Sequence, residues 1–112
     1  MAGVREEVLN RVRGVAPRLS RHGRVLASYL FGSQVWGEPD ADSDVDVAVF
    51  IEGVESWDLR RRASVIAEVQ QAVGDDIELH LFPSEALSAP DPASLARLVL
   101  ERGMKVEPPT GG

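Results

Sequence analysis

Cysteine is absent from the 112 residues, which removes disulfide frameworks, thiolate nucleophiles and cysteine-based zinc sites together. Long apolar runs are missing too. The segment from Val45 to Ile51 is interrupted by Asp46 and falls far short of the roughly 20 residues a bilayer span needs, so no membrane partner is expected. The opening MAGVREEVLNRVR carries no apolar h-region, so no secretory signal is read there and a cytoplasmic location is expected. Lysine is nearly absent, Lys105 standing alone among twelve basic residues. That arginine bias follows genome composition as readily as function, and it excludes nothing. No internal repeat or low-complexity tract is visible.

What is present reads as one ordinary globular domain. Apolar residues make up 44% and charged residues 27%, a balance that lets a chain of this length bury roughly two thirds of its extended surface without covalent staples. The expected organisation is a single domain over residues 1–107 with a disordered tail over 108–112. The formal net charge is −6, unevenly spread: residues 1–24 hold six arginines and two glutamates, whereas residues 25–112 hold six basic and sixteen acidic residues. Phosphate contacts require clustered Lys and Arg, so a generic nucleic-acid groove is not expected.

Val4, Val8, Leu9, Val12, Val15 and Leu19 recur at helical spacing and predict a helix over about 3–21, bent or restarted near Gly14 and Pro17. Val25 to Phe31 predicts a central strand buried on both faces. Asp44 to Ile51 predicts a second strand with Asp44, Asp46, Ala48 and Phe50 on one face and Val45, Val47, Val49 and Ile51 on the other. Ser56 is the expected cap of a helix over about 57–73 whose stripe is Leu59, Ala63, Ile66, Val69 and Val73, with Gly74 as its stop. Ile77 to Phe82 predicts a third strand with Glu78, His80 and Phe82 on one face. A last helix over about 92–102, capped by Asp91, and a short edge strand at Met104 to Val106 complete the chain. The fold class is α/β (α+β), a small mixed sheet with helices packed mainly on one face.

The chemistry lies in Gly32-Ser33-Gln34-Val35-Trp36-Gly37 and the carboxylates that follow. A buried strand running into Gly-Ser at the start of a helical turn offers free amides and a hydroxyl to a phosphate, and glycine lets an anion approach closely. Asp44 and Asp46, two apart on one strand, share a face with Cα atoms about 6–7 Å apart. Carboxylates so placed repel unless a cation lies between them. A hard divalent ion meets that need: Mg²⁺ takes one or two carboxylates plus substrate phosphates, and a pair about 3.5–4 Å apart clamps an in-line phosphoryl displacement.

Gly-Ser, ten residues, then Asp-x-Asp on strand, turn and strand resembles the signature of the DNA polymerase beta type nucleotidyltransferases. Size and element order are similar to the minimal nucleotidyltransferases encoded beside HEPN-domain ribonuclease toxins. The resemblance implies that Gly32 and Ser33 hold the triphosphate of ATP and that Asp44 and Asp46 bind two Mg²⁺ ions. It also implies a third acid on a following antiparallel strand, as metal ligand or base. Glu78 occupies that place where the family usually has Asp, with Asp75 and Asp76 as substitutes, and Gln34 stands where many small relatives carry Arg.

The resulting expectation is a magnesium-dependent enzyme that moves AMP from ATP to a hydroxyl, by resemblance a tyrosine of a HEPN toxin, and so acts as an antitoxin. A partner protein or a homodimer would complete the acceptor site. The alternatives are a nucleotidyltransferase-fold antitoxin that neutralises its toxin by stoichiometric binding, and a small-molecule (antibiotic) nucleotidyltransferase. Glu38, Asp40 and Asp42 read as a solvated acidic loop, and Arg60 to Arg62 as solvated with one or two intrahelical ion pairs. Trp36 and Trp57 are expected near the surface. His80 is expected as a strand residue at the cleft mouth rather than a base or ligand, since His22 gives it no paired spacing.

Overall fold

The computed structural model describes residues 4–37 and 44–107, so the expected acidic loop of Glu38, Asp40 and Asp42 and the tail over 108–112 lie outside the described residues. Val8, Val12, Val15 and Leu19 do form one buried stripe, carried by two helices, α1 (Glu6–Arg13) and α2 (Val15–Leu19). Pro17 explains the break. It has no N–H for the carbonyl of Arg13, four residues back, and its ring crowds that oxygen. Glu6 and Glu7 in the first turn of α1, with Arg11 and Arg13 in the last, complement the helix dipole.

Four strands, β1 (Val25–Phe31), β2 (Val45–Ile51), β3 (Ile77–Phe82) and β4 (Met104–Lys105), form one sheet in the order β3-β2-β1-β4. β1 runs antiparallel to both β2 and β4, whereas β2 and β3 are parallel. The antiparallel direction that the family resemblance implies for the strand carrying Glu78 is thereby corrected. The reason is α4 (Leu59–Val73), a fifteen-residue crossover that carries the chain back to the starting end of β2 before β3 begins.

The caps and stripe of α4 also differ from expectation. Asp58, not Ser56, accepts the N–H of Arg61 at 2.8 Å, because Ser56 is consumed in a 3₁₀ turn (Val54–Ser56) where its hydroxyl donates to the carbonyl of Gly53. The buried arc is Val65, Val69 and Val73, with Ile66 partly buried. Leu59 is 83% exposed and Ala63 is also exposed. Above the arc, the place expected for Leu59 is taken by Arg62, whose guanidinium donates to the carbonyl of Val54. Arg61 stacks over the ring of Trp57 at 4.5 Å. These two arginines therefore bond and stack across elements instead of pairing along the helix, and Trp57 is buried at 7% exposure. After β3 come two short helices, α5 (Ser84–Ser88) and α6 (Leu95–Arg102). Ser94 caps α6, while the expected cap, Asp91, holds the preceding turn through the N–H of Ala93.

Both faces of the sheet are apolar over much of their area, and this positions the site. α1, α2 and α4 cover Val45, Val47, Val49 and Ile51 together with Leu30, Ile77, Leu79 and Leu81. On the opposite face α5 and α6 cover Phe50, Ala27, Ala48 and Phe31. Phe50 stacks on Phe82 and meets Tyr29 edge-on. The starting ends of β2 and β3 on that second face bear carboxylates instead. Among the described residues, no helix is long and apolar enough to cross a membrane.

Candidate active site

Strand register builds the site. Phe31 on β1 lies opposite Asp46 on β2, Asp46 lies opposite Glu78 on β3, and His80 lies opposite Ala48 one step further along the same face. A cross-strand neighbour is about 5 Å away, so Asp46 and Glu78 are brought side by side by the pairing itself. Ala48 contributes only a methyl group. Over it the imidazole of His80 leans back to Asp46, with Nε2 at 3.3 Å from Oδ1. Phe31 meets the same imidazole edge-on, ring centroids 5.0 Å apart, and fixes its tilt.

The turn after β1 closes on this cluster. Gly32 has φ +78 and ψ −150, a conformation that side-chain-bearing residues avoid. A Cβ placed there would fall inside the van der Waals shell of Asp46 Oδ2. The glycine therefore serves two ends, its backbone angle and the space for a carboxylate. α3 (Ser33–Trp36) follows at once, its Val35 and Trp36 amides bonded to the carbonyl of Gly32. Ser33 is exposed, whereas Gln34 is buried at 6% exposure. Trp36 ties this turn down: its indole Nε1 donates to the carbonyl of Arg102 at 2.7 Å, and the Arg102 guanidinium lies over its ring.

Of the residues singled out from the sequence, the structure brings Gly32, Asp46 and Glu78 together. Asp44 is exposed at the position before β2 and stands outside the tight group, in which ligand atoms of Asp46, Glu78 and His80 all lie within 4.8 Å of one another. Asp76 is engaged elsewhere. Its two oxygens accept from Arg11 at 2.6 and 2.9 Å, and Arg11 also donates to the carbonyl of Val73 at the end of α4. The Arg11 hydrogen bond holds the Asp76 carboxyl below its ordinary range and raises the guanidinium in return. Asp76 is thus a brace between α1 and the turn into β3, and Asp75 is exposed beside it. His80, expected as a strand residue at the cleft mouth, lies on that face with its ring against Asp46. In sequence it stands two residues beyond Glu78 on the same face, but its contact with Asp46 depends on the pairing of β2 and β3.

The family described as "Polymerase beta, Nucleotidyltransferase" matches residues 15–89, more than half of the chain. The chain belongs to this nucleotidyltransferase family. A crystal structure of a candidate nucleotidyltransferase from Sulfolobus solfataricus superposes with a TM-score of 0.57 at 13% identity, covering 72% of this chain and 71% of that one. At that identity the likeness speaks to the fold. No functionally curated protein matches the chain.

Nucleotidyltransferases of this fold generally use divalent cations with a nucleotide, and the donors present here suit such an ion. Two carboxylates and an imidazole supply two hard oxygens and one borderline nitrogen. Two ligands at right angles around an ion at about 2.1 Å stand about 3 Å apart, close to the 3.3 Å between Asp46 Oδ1 and His80 Nε2.

Proposed function

We propose that this nucleotidyltransferase moves AMP from ATP to a hydroxyl on a partner protein, the tyrosine of a HEPN-type ribonuclease toxin being the acceptor. One observation carries the chemistry: the glycine turn at the end of β1 abuts Asp46, and Asp46 sits beside Glu78. An anion cupped by that turn would lie next to Asp46 and, across the strand pair, near Glu78. Gly32 and Ser33 orient the triphosphate through amides and hydroxyl, and Asp44, Asp46 and Glu78 hold the divalent cations. Cations held by these residues would supply neutralisation of the charge on the α-phosphate and on the departing pyrophosphate. The acceptor oxygen forms its bond to the α-phosphorus as the bond from that phosphorus to the β-bridging oxygen breaks, and pyrophosphate leaves. Glu78, exposed at the edge of the cluster, receives the acceptor proton.

The identity of the partner rests on the likeness of size, element order and motif to minimal nucleotidyltransferases. The net charge of −6 suits a basic partner. The test is incubation with Mg²⁺, ATP and the product of the neighbouring gene, read by mass spectrometry of that partner. A mass increment of one or more AMP units, lost in the Asp44→Asn/Asp46→Asn double variant, is the expected result. Tight complex formation without any increment would replace the enzyme with a stoichiometric binder. Transfer that survives the double substitution would refute the metal-binding roles.

A further inference from the structure

We infer that His80 is a direct nitrogen ligand of the cation held at this site, and that it tilts the site from Mg²⁺ toward first-row transition ions, of which Mn²⁺ is the one that also keeps the oxygen ligands of a phosphoryl-transfer site. The inference rests on the proposed function to the extent that it takes Asp46 and Glu78 as cation ligands. It adds a third ligand of different chemistry and an ion preference that carboxylates alone do not set.

Three observations converge on it. The Nε2 atom of His80 lies 3.3 Å from Asp46 Oδ1, so the two ligand atoms border one volume, and an ion entering it would take the place of the proton that Nε2 shares with the carboxylate. Glu78 lies on the same strand face two residues earlier and reaches that volume from the side, all three donor atoms lying within 4.8 Å. The imidazole is held in this orientation by the edge-on contact with Phe31 and by the lack of bulk at Ala48 across the strand pair. A ring pinned by packing loses little entropy when it ligates, which favours a preformed site.

The preference follows from donor chemistry. Mg²⁺ is small, demands near-octahedral oxygen and gives up water reluctantly. Imidazole suits transition ions, and affinity at a mixed nitrogen and oxygen site rises from Mn²⁺ along the first row. Mn²⁺ also accepts carboxylate, phosphate and water, so it can serve a phosphoryl-transfer site without abandoning the oxygen ligands. Replacing the nitrogen by an amide should therefore cost Mn²⁺ more than Mg²⁺.

The test reads the ligand itself. Mn²⁺ is added to the protein with inorganic tripolyphosphate, which contains no nitrogen, and electron spin echo envelope modulation is recorded. Modulation from a directly bound ¹⁴N is expected, replaced by ¹⁵N frequencies when the protein is uniformly ¹⁵N-labelled, a control that needs no substitution. The nitrogen signal should vanish in His80→Gln and persist in His22→Gln, and His80→Gln should lower the ratio of Mn²⁺ to Mg²⁺ affinity by about tenfold. Mn²⁺ bound with oxygen ligands only would overturn the inference while leaving the carboxylate site intact. No Mn²⁺ or Mg²⁺ binding at millimolar concentration would overturn both the inference and the cation roles on which the proposed function depends.

Discussion

Replacing Gly32 by alanine separates two effects that are usually entangled, because Gly53 supplies a matched control within the same chain. Both glycines have positive φ, +78 at Gly32 and +85 at Gly53. At Gly53 ψ is −1, the left-handed helical region, and nothing lies within 4 Å of a Cβ placed there. Gly53→Ala therefore costs only the backbone term, about 1 kcal/mol. At Gly32 ψ is −150, a region that belongs almost wholly to glycine and costs about 1–3 kcal/mol for other residues. The added methyl must also displace the carboxylate of Asp46. At about 5 °C per kcal/mol for a domain near this size, Gly53→Ala should lower Tm by about 5 °C and Gly32→Ala by about 5–15 °C from the backbone alone, with the displaced carboxylate adding to that loss.

The two variants should part more sharply in ion binding. Moving Asp46 disturbs its contact with His80 and its alignment with Glu78, so Gly32→Ala should weaken Mn²⁺ binding by about tenfold or more, a range typical for misplacing the groups that orient a metal ligand. Gly53 lies at the far end of β2 and its substitution should leave binding unchanged. Circular dichroism melts and titration of the free Mn²⁺ resonance measure the two quantities. If Gly32→Ala matches Gly53→Ala in both, the argument that Gly32 exists to admit the Asp46 carboxylate is wrong.

Asp76→Asn should lower stability at pH 7 by about 0.5–1 kcal/mol, the scale for a bidentate pair partly open to solvent. The pH sign is fixed by the lowered Asp76 carboxyl. Its contribution is fully present above the ordinary carboxylate range near 4 and is lost as pH falls through the still lower folded value. The gap between wild type and variant in urea melts should therefore be flat from pH 5 to 8 and close below about pH 4; a gap that widens in acid would contradict the assignment. Asp58→Ala should cost about 1 kcal/mol through loss of the helix cap and Ser56→Ala less than half of that, and equal losses would restore Ser56 as the cap. Phe50→Ala, which removes a fully buried ring between Tyr29 and Phe82, should cost about 3–5 kcal/mol, measurable by the same melts.

What the sequence made legible was whatever depends on one element at a time. Alternation along Asp44 to Ile51 assigned Val45, Val47, Val49 and Ile51 to one buried face, because side chains on a strand alternate whatever the neighbours do. The glycine turn was legible for the same reason, as a local requirement of the backbone. Relations between elements were harder to read. Strand parity is identical in parallel and antiparallel pairing, so it places Glu78 on its face without fixing the direction of β3; the fifteen-residue helix before it carries that information, since parallel neighbours need such a crossover. Ser56 and Asp58 are both competent caps two residues apart, and a preceding 3₁₀ turn, itself a product of Gly53, decided between them. His80 shows the limit most clearly. Its isolation from His22 in sequence gives no sign of the two carboxylates near it, because that proximity comes from the β2–β3 register and not from any spacing of histidines. In a sheet-borne site, groups far apart in sequence meet across paired strands at equal register, as an acid on β2 meets an acid and, two residues on, a histidine on β3.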